Sequence, residues 1–254
     1  MNAENTLNIY SLLIASSLVI VSIFISHSQK LKLEKEIMIG VIRAVIQLTL
    51  VGYVLNYVFG LKSYAFTTLL MLFMIFNASM NARKRGSNIH NVLLISLVSI
   101  GAGTIITLGV LVLSKSIKYE PYSVIPVSGM VIGNAMVAIG LCYKQLNINF
   151  KNYRDEIETK LSLGAEILPS SMNIIRDAMK TGMIPTIDST KTLGIVSLPG
   201  MMTGLILAGT PPIEAIKFQI MVTFMLLATT SISAFLACFM SYRSFFNKRK
   251  QLSL

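Results

Sequence analysis

The sequence has 254 residues, of which 54% are hydrophobic and only 13% are charged, whereas a soluble domain carries roughly 25% charged residues. The formal net charge is +11, and in so apolar a chain the basic residues are expected to mark the cytoplasmic side of a membrane rather than a nucleic-acid surface. This composition excludes a soluble enzyme and a disordered chain, and continuous apolar runs of about twenty residues exclude an outer-membrane barrel.

Seven apolar segments are long enough to cross a hydrocarbon core of about 30 Å as helices, at 1.5 Å a residue. In chain order they are residues 7–26, 37–59, 64–82, 92–113, 124–143, 192–209 and 213–242. We therefore predict an all-α, polytopic membrane protein, with residues 1–254 forming a single transmembrane domain.

The positions of the basic residues predict how the segments are oriented. Seventeen Lys and Arg residues lie in the connections on one side of the membrane and three on the other. Because Lys and Arg collect in cytoplasmic loops, we predict an outer N-terminus and a cytoplasmic C-terminus, which requires an odd number of spans.

Residues 144–191 form the only long hydrophilic segment, and this orientation makes it cytoplasmic. It mixes seven basic with six acidic residues, and its pattern predicts one helix over 152–163 that Gly164 terminates. A second helix with Pro169 in its first turn should end by Gly182–Pro185. Its apolar residues share one face, at Met172, Ile175 and Met179. The pair of helices is either a docking surface for a soluble partner or a hairpin that only connects two spans.

One feature of this segment resembles the coupling loop of ABC-transporter permeases. That loop has a Glu-Ala-Ala sequence with a Gly six residues after the Glu, and it docks into the ATPase subunit. Glu158 and Gly164 have this spacing, although the two alanines are absent. The resemblance implies that ATPase contacts come from the following residues: Glu158, Leu161, Gly164, Met172, Ile175 and Met179.

Longer stretches of the chain carry a more specific resemblance. They are residues 43–53, 76–82, 124–143, 160–165, 184–188, 197–204 and 215–225, and they include Val-Ile-Pro-Val-Ser-Gly-Met at 124–130 and Ser-Leu-Pro-Gly-Met-Met at 197–202. Through these stretches the chain resembles the FetB-type permeases, the membrane subunits of FetAB iron-export ABC transporters, to which plant aluminium-tolerance membrane proteins are related.

The resemblance implies a multi-pass permease of the cell membrane that exports iron or a similar metal cation and contributes to metal homeostasis and oxidative-stress resistance. It implies two permease copies and a separate FetA-like ATPase, and no nucleic acid. The sequence contains no Gly-x-x-x-x-Gly-Lys-[Ser/Thr] phosphate loop, so we expect a non-enzymatic subunit with no catalytic residues and no directly bound cofactor, ATP being used by the partner.

Polar, thioether and helix-breaking residues within the spans are candidates for the translocation path. Asn134 lies near the middle of the fifth span, where an unpaired amide is costly, and Pro199 leaves a backbone carbonyl free. The candidates are Asn134, Met136, Pro199, Met202, Gln219 and Met221. The metal ligands stay unknown, because no His-rich or Cys-rich tract exists and the methionines can serve packing as well as a soft metal.

Two further questions stay open in the sequence. The Gly-x-x-x-Gly pairs at 129–133 and 200–204 fit close packing within one chain or at a subunit interface. The alternative function is an ATP-independent metal or small-molecule carrier, which should show titratable groups near the centre of a span. An intramembrane hydrolase is disfavoured because the only histidines, His27 and His90, fall in predicted cytoplasmic loops.

Overall fold

The computed structural model describes residues 9–61 and 63–253, so residues 7 and 8 of the first predicted span lie outside the described residues. Within these ranges the chain has two isolated β-bridges and no β-strand, which confirms the all-α class. The helices are α1 (Ile9–Ser28), α2 (Glu34–Leu61), α3 (Tyr64–Arg83), α4 (Val92–Leu113), α5 (Pro121–Asn152), α6 (Arg154–Ser162), α7 (Ile167–Thr192), α8 (Gly200–Leu207) and α9 (Pro212–Ser241), with a 3₁₀ turn at Tyr242–Phe245.

The chain divides into two compact units, residues 1–61 and 62–254. In the first unit α1 and α2 contact each other, and the connection is fixed where the Leu33 N–H donates to Oγ of Ser26 at 3.1 Å. Apolar side chains such as Leu18 and Leu48 are exposed on both helices. Helices that are apolar all round require an apolar environment, which lipid supplies.

In the second unit α9 packs against α4, α5 and α7, while α5 packs against α3 and α7. Hydroxyl side chains join α4 to α9: Oγ1 of Thr229 donates to Oγ1 of Thr107 at 2.9 Å, and Oγ of Ser233 donates to the Ser99 carbonyl oxygen at 3.0 Å. A Cβ on Gly103 would lie 3.3 Å from the Thr229 carbonyl oxygen. Small residues therefore let these two helices approach closely, as in other membrane bundles.

Two apolar clusters occupy opposite ends of this bundle. The Phe150 cluster extends from Ile132 in the middle of α5 to the last turns of α5 and α9, where the ring of Phe150 stacks on that of Phe245 with centroids 4.1 Å apart. The Val131 cluster lies at the other end and consists of Leu108, Leu111, Ile117, Val127, Val131, Val222 and Met225. Polar residues gather at the level between the two clusters, as described below.

Five helical segments within the described residues are long and apolar enough to cross a membrane. They are Glu34–Leu55, Tyr64–Arg83, Val92–Leu113, Pro121–Asn152 and Pro212–Phe245, and they coincide with the second to fifth and the seventh predicted spans. The first predicted span corresponds to α1, whose apolar stretch is the shorter Ile14–Ser28.

The sixth predicted span, residues 192–209, is wrong as a continuous helix. Helix α7 ends at Thr192, the segment 193–199 is not helical, and α8 has only eight residues, or about 12 Å at 1.5 Å a residue. Gly194 has φ +80°, a left-handed conformation that a helix cannot contain, and Pro199 is the N-cap of α8.

The hydrophilic segment 144–191 is also more helical than its pattern predicts. The predicted helix at 152–163 is α6, and Gly164, with φ +90°, ends it as expected. The second helix does contain Pro169 in its first turn, but the prediction that it stops by Gly182–Pro185 is wrong, since α7 continues to Thr192. Gly182 allows α7 to pack directly on α5, where a Cβ would lie 2.8 Å from the Ala138 carbonyl oxygen.

Candidate functional site

A cavity of about 250 Å³ lies between α5, α7 and α9, and we call it the central cavity. The broken segment after α7 forms part of its wall through Leu193 and Pro199. Its lining combines residues of the Val131 cluster, such as Val222, with residues next to the Phe150 cluster, such as Ala138. The central cavity therefore lies at the level between the two apolar clusters.

The polar part of the central cavity is uncharged. Its hydroxyl and amide side chains belong to Asn134, Thr186, Ser189, Thr190, Gln219 and Thr223. The rest of the lining is apolar, with thioethers at Met130 and Met201. None of the lining residues is acidic, basic or a histidine.

Hydrogen bonds within the helices determine what these polar groups offer to a guest. Oγ1 of Thr190 donates to the Thr186 carbonyl oxygen at 2.8 Å, and Oγ1 of Thr223 donates to the Gln219 carbonyl oxygen at 2.9 Å. Nδ2 of Asn134 donates to the Met130 carbonyl oxygen at 2.8 Å. The two hydroxyl protons are thus in use, so the threonine oxygens can serve a guest only as acceptors.

Gln219 connects the central cavity to a neighbouring one. The second cavity, of about 380 Å³, is lined by Met202 and by apolar residues of α9, and it shares Gln219 and Pro199 with the first. Oε1 of Gln219 is buried and accepts no hydrogen bond. A buried amide oxygen left unpaired costs about 1–3 kcal/mol, which is unfavourable unless a guest or a second conformation satisfies it.

The structure brings together four of the six predicted path residues. Asn134, Pro199 and Gln219 line the central cavity, and Met202 lines the neighbouring one. The other two are elsewhere: Met136 packs against the Phe150 cluster and Met221 against the Val131 cluster. The role of all six residues in translocation stays a prediction.

Sequence reasoning missed the polar residues that α7 contributes. Thr186, Ser189 and Thr190 are spaced i, i+3 and i+4, which is the signature of one helix face. The signal was hidden because the helix was predicted to stop at Pro185. Pro185 removes one backbone donor, so the Thr181 carbonyl lacks its usual partner, yet the packing of α7 on α5 and α9 keeps the helix intact.

The predicted coupling residues divide into two groups. Ile175 is fully buried and Met179 packs against the Phe150 cluster, so the expectation that this helix face is presented to a partner is wrong in this conformation. Met172 and Leu161 are half-buried. Glu158 is also half-buried, and its carboxylate accepts a hydrogen bond from Nε of Arg154 at 2.8 Å. Gly164 is exposed in the α6–α7 turn, where Leu163 is 83% exposed.

A polar network ties α7 to the end of α5 near this turn. Oδ2 of Asp177 accepts hydrogen bonds from Nδ2 of Asn149 at 2.7 Å and Nε2 of Gln145 at 3.1 Å. Asn149 is only 4% exposed, and its Oδ1 accepts a further bond from Gln145. The network fixes the base of the α6–α7 hairpin to a bundle helix.

Basic residues gather at this same end of the second unit. Nδ2 of Asn147 donates to the Arg85 carbonyl oxygen at 3.4 Å, which places the α3–α4 turn beside the end of α5. A groove beside α6 is lined by Arg154 together with Arg249 and Lys250 of the C-terminal segment.

The residues that the structure describes contain no group of three or more His, Cys, Asp or Glu side chains arranged to hold a metal ion. The lining of the central cavity includes no carboxylate or imidazole, the side chains that usually bind iron.

Comparison with known proteins places the chain among membrane proteins of related length. The family described as an uncharacterised protein family, UPF0014, matches residues 9–246. The chain is 52% identical over 252 residues to the "Probable iron export permease protein FetB" of Escherichia coli, covering 99% of this chain and 97% of that protein. It is 38% identical to the UPF0014 membrane protein YjkA of Bacillus subtilis, covering 95% of this chain and 97% of YjkA.

A plant relative is more distant but still covers most of the chain. The protein ALUMINUM SENSITIVE 3 of Arabidopsis thaliana is 36% identical over 240 residues, or 94% of this chain and 88% of that protein. No solved structure matches the chain.

Proposed function

Because the chain belongs to the UPF0014 family of multi-pass membrane proteins, we propose that it is the permease subunit of an ABC transporter that exports iron or a similar metal cation. The observation that carries this proposal is the 52% identity, over 99% of this chain, to a probable iron export permease. ATP would be bound and hydrolysed by a separate ATPase, so this chain itself would hold no cofactor.

The broken segment beside the central cavity supports a transport role. Non-helical backbone at membrane depth is tolerated only where it is buried in protein or lines a water-filled cavity. In transporters, discontinuous helices form substrate sites near the middle of the bilayer. Segment 193–199 lines a cavity between the two apolar clusters, where a transported ion would pass.

We further propose seven membrane crossings with the C-terminus in the cytoplasm. The second half of α7 and the short α8 together make the sixth crossing, in place of one continuous helix. The basic α3–α4 turn and the basic C-terminal segment lie at one end of the second unit, which supports a cytoplasmic position for that end. The α6–α7 turn lies at the same end.

A second permease copy would cover the face formed by segment 193–199, α8 and α9. Ile195 and Val196 are 88% and 79% exposed on non-helical backbone, which lipid does not accommodate. A Cβ on Gly200 or Gly204 would meet no atom within 4 Å. These glycines are therefore free to take part in close helix packing between two copies, rather than within one chain.

The ATPase would dock on the exposed α6–α7 turn, residues 162–166, with Glu158 beside it. The buried face of α7 would not contact the ATPase. It would instead connect this turn to the wall of the central cavity. Movement of the turn would be passed along one helix from the ATPase to Thr186 and Thr190.

Co-purification of the permease with its ATPase tests this assignment. We expect wild-type permease to retain the ATPase in detergent. The amount of ATPase that co-purifies with Leu163→Glu should be at least about tenfold lower, because a charge replaces an exposed apolar contact. The matched control is Leu113→Glu, since Leu113 is 85% exposed at the opposite end of the bundle. If wild type brings down no ATPase but still moves metal, the chain is an ATP-independent carrier.

A further inference from the structure

The central cavity combines three properties that restrict its guest. It has no charged lining residue, the hydroxyl protons of Thr190 and Thr223 are already donated to backbone carbonyls, and it contains the amides of Asn134 and Gln219. A bare divalent cation would have to exchange its water shell for ligands, and neutral hydroxyls and amides replace that shell poorly at an apolar site. The cavity is therefore unsuited to a stripped metal ion.

The same cavity suits a metal ion that keeps its water. Water bound to a metal cation is a strong hydrogen-bond donor, because the ion polarises its O–H bonds. The hydroxyl oxygens of Thr190 and Thr223 can only accept. Oε1 of Gln219 is a buried acceptor without a partner, and a change of side-chain rotamer turns it toward the guest. Oδ1 of Asn134 adds another acceptor, since the hydrogen bond to Met130 uses the amide nitrogen.

The size of the cavity agrees with such a guest. Six water molecules occupy about 180 Å³ at roughly 30 Å³ each, and the ion at their centre adds little. The central cavity has about 250 Å³, which is enough for one cation with a complete first shell. The neighbouring cavity shares Gln219 and Pro199 with it.

We propose that the central cavity binds its metal cargo as a hydrated cation, held by hydrogen bonds from metal-bound water to Asn134, Gln219, Thr190 and Thr223 rather than by direct ligands. This inference rests on the proposed function for the identity of the cargo as a metal. It adds how the ion is recognised: by the size and the hydrogen-bond donors of its water shell, so that divalent ions of similar hydration compete closely.

The test uses two probes on the purified full-length chain in neutral detergent. One is Mn²⁺, whose water ligands can be counted by pulsed electron paramagnetic resonance in D₂O. The other is hexaamminecobalt(III), whose six N–H-donating ligands do not exchange, so that it imitates a hydrated ion and cannot accept direct protein ligands. We expect bound Mn²⁺ to keep six waters and hexaamminecobalt(III) to displace it.

Variants locate the binding. Asn134→Leu and Gln219→Leu should each weaken the binding of both probes by about tenfold, as expected for loss of one hydrogen bond to a charged group. Asn81→Leu is the matched control, because it removes an intramembrane amide of α3 outside the cavity, and it should leave binding unchanged. Asn134→Asp keeps the side-chain shape and adds a charge, so it should tighten the binding of both probes. If the leucine variants fail to fold, this variant shows whether the bound ion lies beside residue 134.

Several outcomes would overturn the inference. They are the absence of bound Mn²⁺, fewer than six waters on bound Mn²⁺, no displacement by hexaamminecobalt(III), or Asn134→Asp binding both probes like wild type. These outcomes are separate from the proposed function. A permease that retains its ATPase and shows Fe(II)-stimulated hydrolysis while failing them would transport a directly ligated metal, whereas one that passes them without an ATPase partner would be a carrier of hydrated ions.

Discussion

Gln219 is the residue at which the stability of the fold and the proposed transport role place opposite demands on one side chain. Its Oε1 is buried without a hydrogen-bond partner, and its side chain borders both cavities. A polar group that destabilises the resting protein is expected where a guest satisfies it in the working protein. The same reasoning applies less strongly to Asn134, whose amide nitrogen is already satisfied by Met130.

Substituting Gln219→Leu should therefore separate the two properties. We expect the free energy of unfolding in detergent to stay the same or to rise by about 1 kcal/mol, because an unpaired buried oxygen is removed. Metal-stimulated ATP hydrolysis should fall at least about tenfold. Calorimetry and a hydrolysis assay on one preparation measure both effects. A variant that transports like wild type would remove Gln219 from the path.

Gly182 shows how a single residue fixes the α5–α7 contact. A Cβ there would lie 2.8 Å from the Ala138 carbonyl oxygen and would meet the sulfur of Cys142. We expect Gly182→Val to destabilise the protein by about 1–3 kcal/mol through overpacking, measured as a lower unfolding temperature. The matched control is Gly101→Val in α4, where a Cβ meets no atom within 4 Å; equal losses in the two variants would contradict this explanation.

At the scale of elements, α7 is the helix that joins the proposed ATPase surface to the central cavity. Its N-terminal half packs on the Phe150 cluster through residues such as Ile175. Its C-terminal half contributes Thr186 and Thr190 to the cavity. Pro185 lies between the halves and leaves the Thr181 carbonyl without its helical donor. The missing hydrogen bond would let the C-terminal half of α7 move separately from the N-terminal half.

Pro185→Ala should restore this hydrogen bond. We expect a higher unfolding temperature and slower hydrogen exchange in α7, with reduced transport, because the missing backbone hydrogen bond is restored. Pro169→Ala provides the comparison, since a proline in the first helical turn breaks no bond and its loss should stabilise little. If both substitutions stabilise equally, a specific weakness at Pro185 is ruled out.

The sequence predicts the regular elements of this fold well and its functional element poorly. Residues 64–82 and 92–113 were predicted nearly as α3 and α4 occur, because lipid-facing helices carry a strong apolar signal in every turn. Helix α7 is polar on one face and is held by tertiary packing, so local glycine and proline signals predicted the wrong end. The break at 193–199 was hidden within an apolar stretch that is long enough to span as one helix.

The candidate site was predictable only in part for the same reason. Asn134 and Gln219 stand out as amides in apolar runs, and both line the central cavity. Met136 and Met221 were predicted as path residues from their residue type, but both pack against the apolar clusters. The residue type alone does not show which way a methionine side chain faces. Thr186 and Thr190 lie beyond the predicted end of helix α7, so their shared face could not be predicted.

At the scale of the whole molecule, the proposed second copy is expected on the exposed face around segment 193–199. Ile195 and Val196 project from non-helical backbone, and Leu207 of α8 is 84% exposed. Exposed apolar side chains are normal in lipid, but exposed irregular backbone is not. A second copy packed on this face would cover the backbone and also close the neighbouring cavity.

Cysteine cross-linking in native membranes measures this contact. We expect Val196→Cys to form a dimer on mild oxidation, because equivalent positions of two copies meet across a two-fold axis. Val110→Cys is the control, since Val110 is 61% exposed on α4, away from the face, and it should stay monomeric. The native Cys142 and Cys238 are buried, so they contribute little background. Equal cross-linking at both positions would contradict a specific interface.

The most direct test of the account is ATP-driven metal movement in liposomes that contain the permease and its ATPase. With ATP supplied on the side of the ATPase, we predict that Fe(II) moves from that side to the other, and that Gln219→Leu abolishes this movement while retaining the ATPase. Transport that proceeds without ATP or ATPase, or that is unchanged in Gln219→Leu, would contradict the assignment of this chain as an ABC export permease whose path crosses the central cavity.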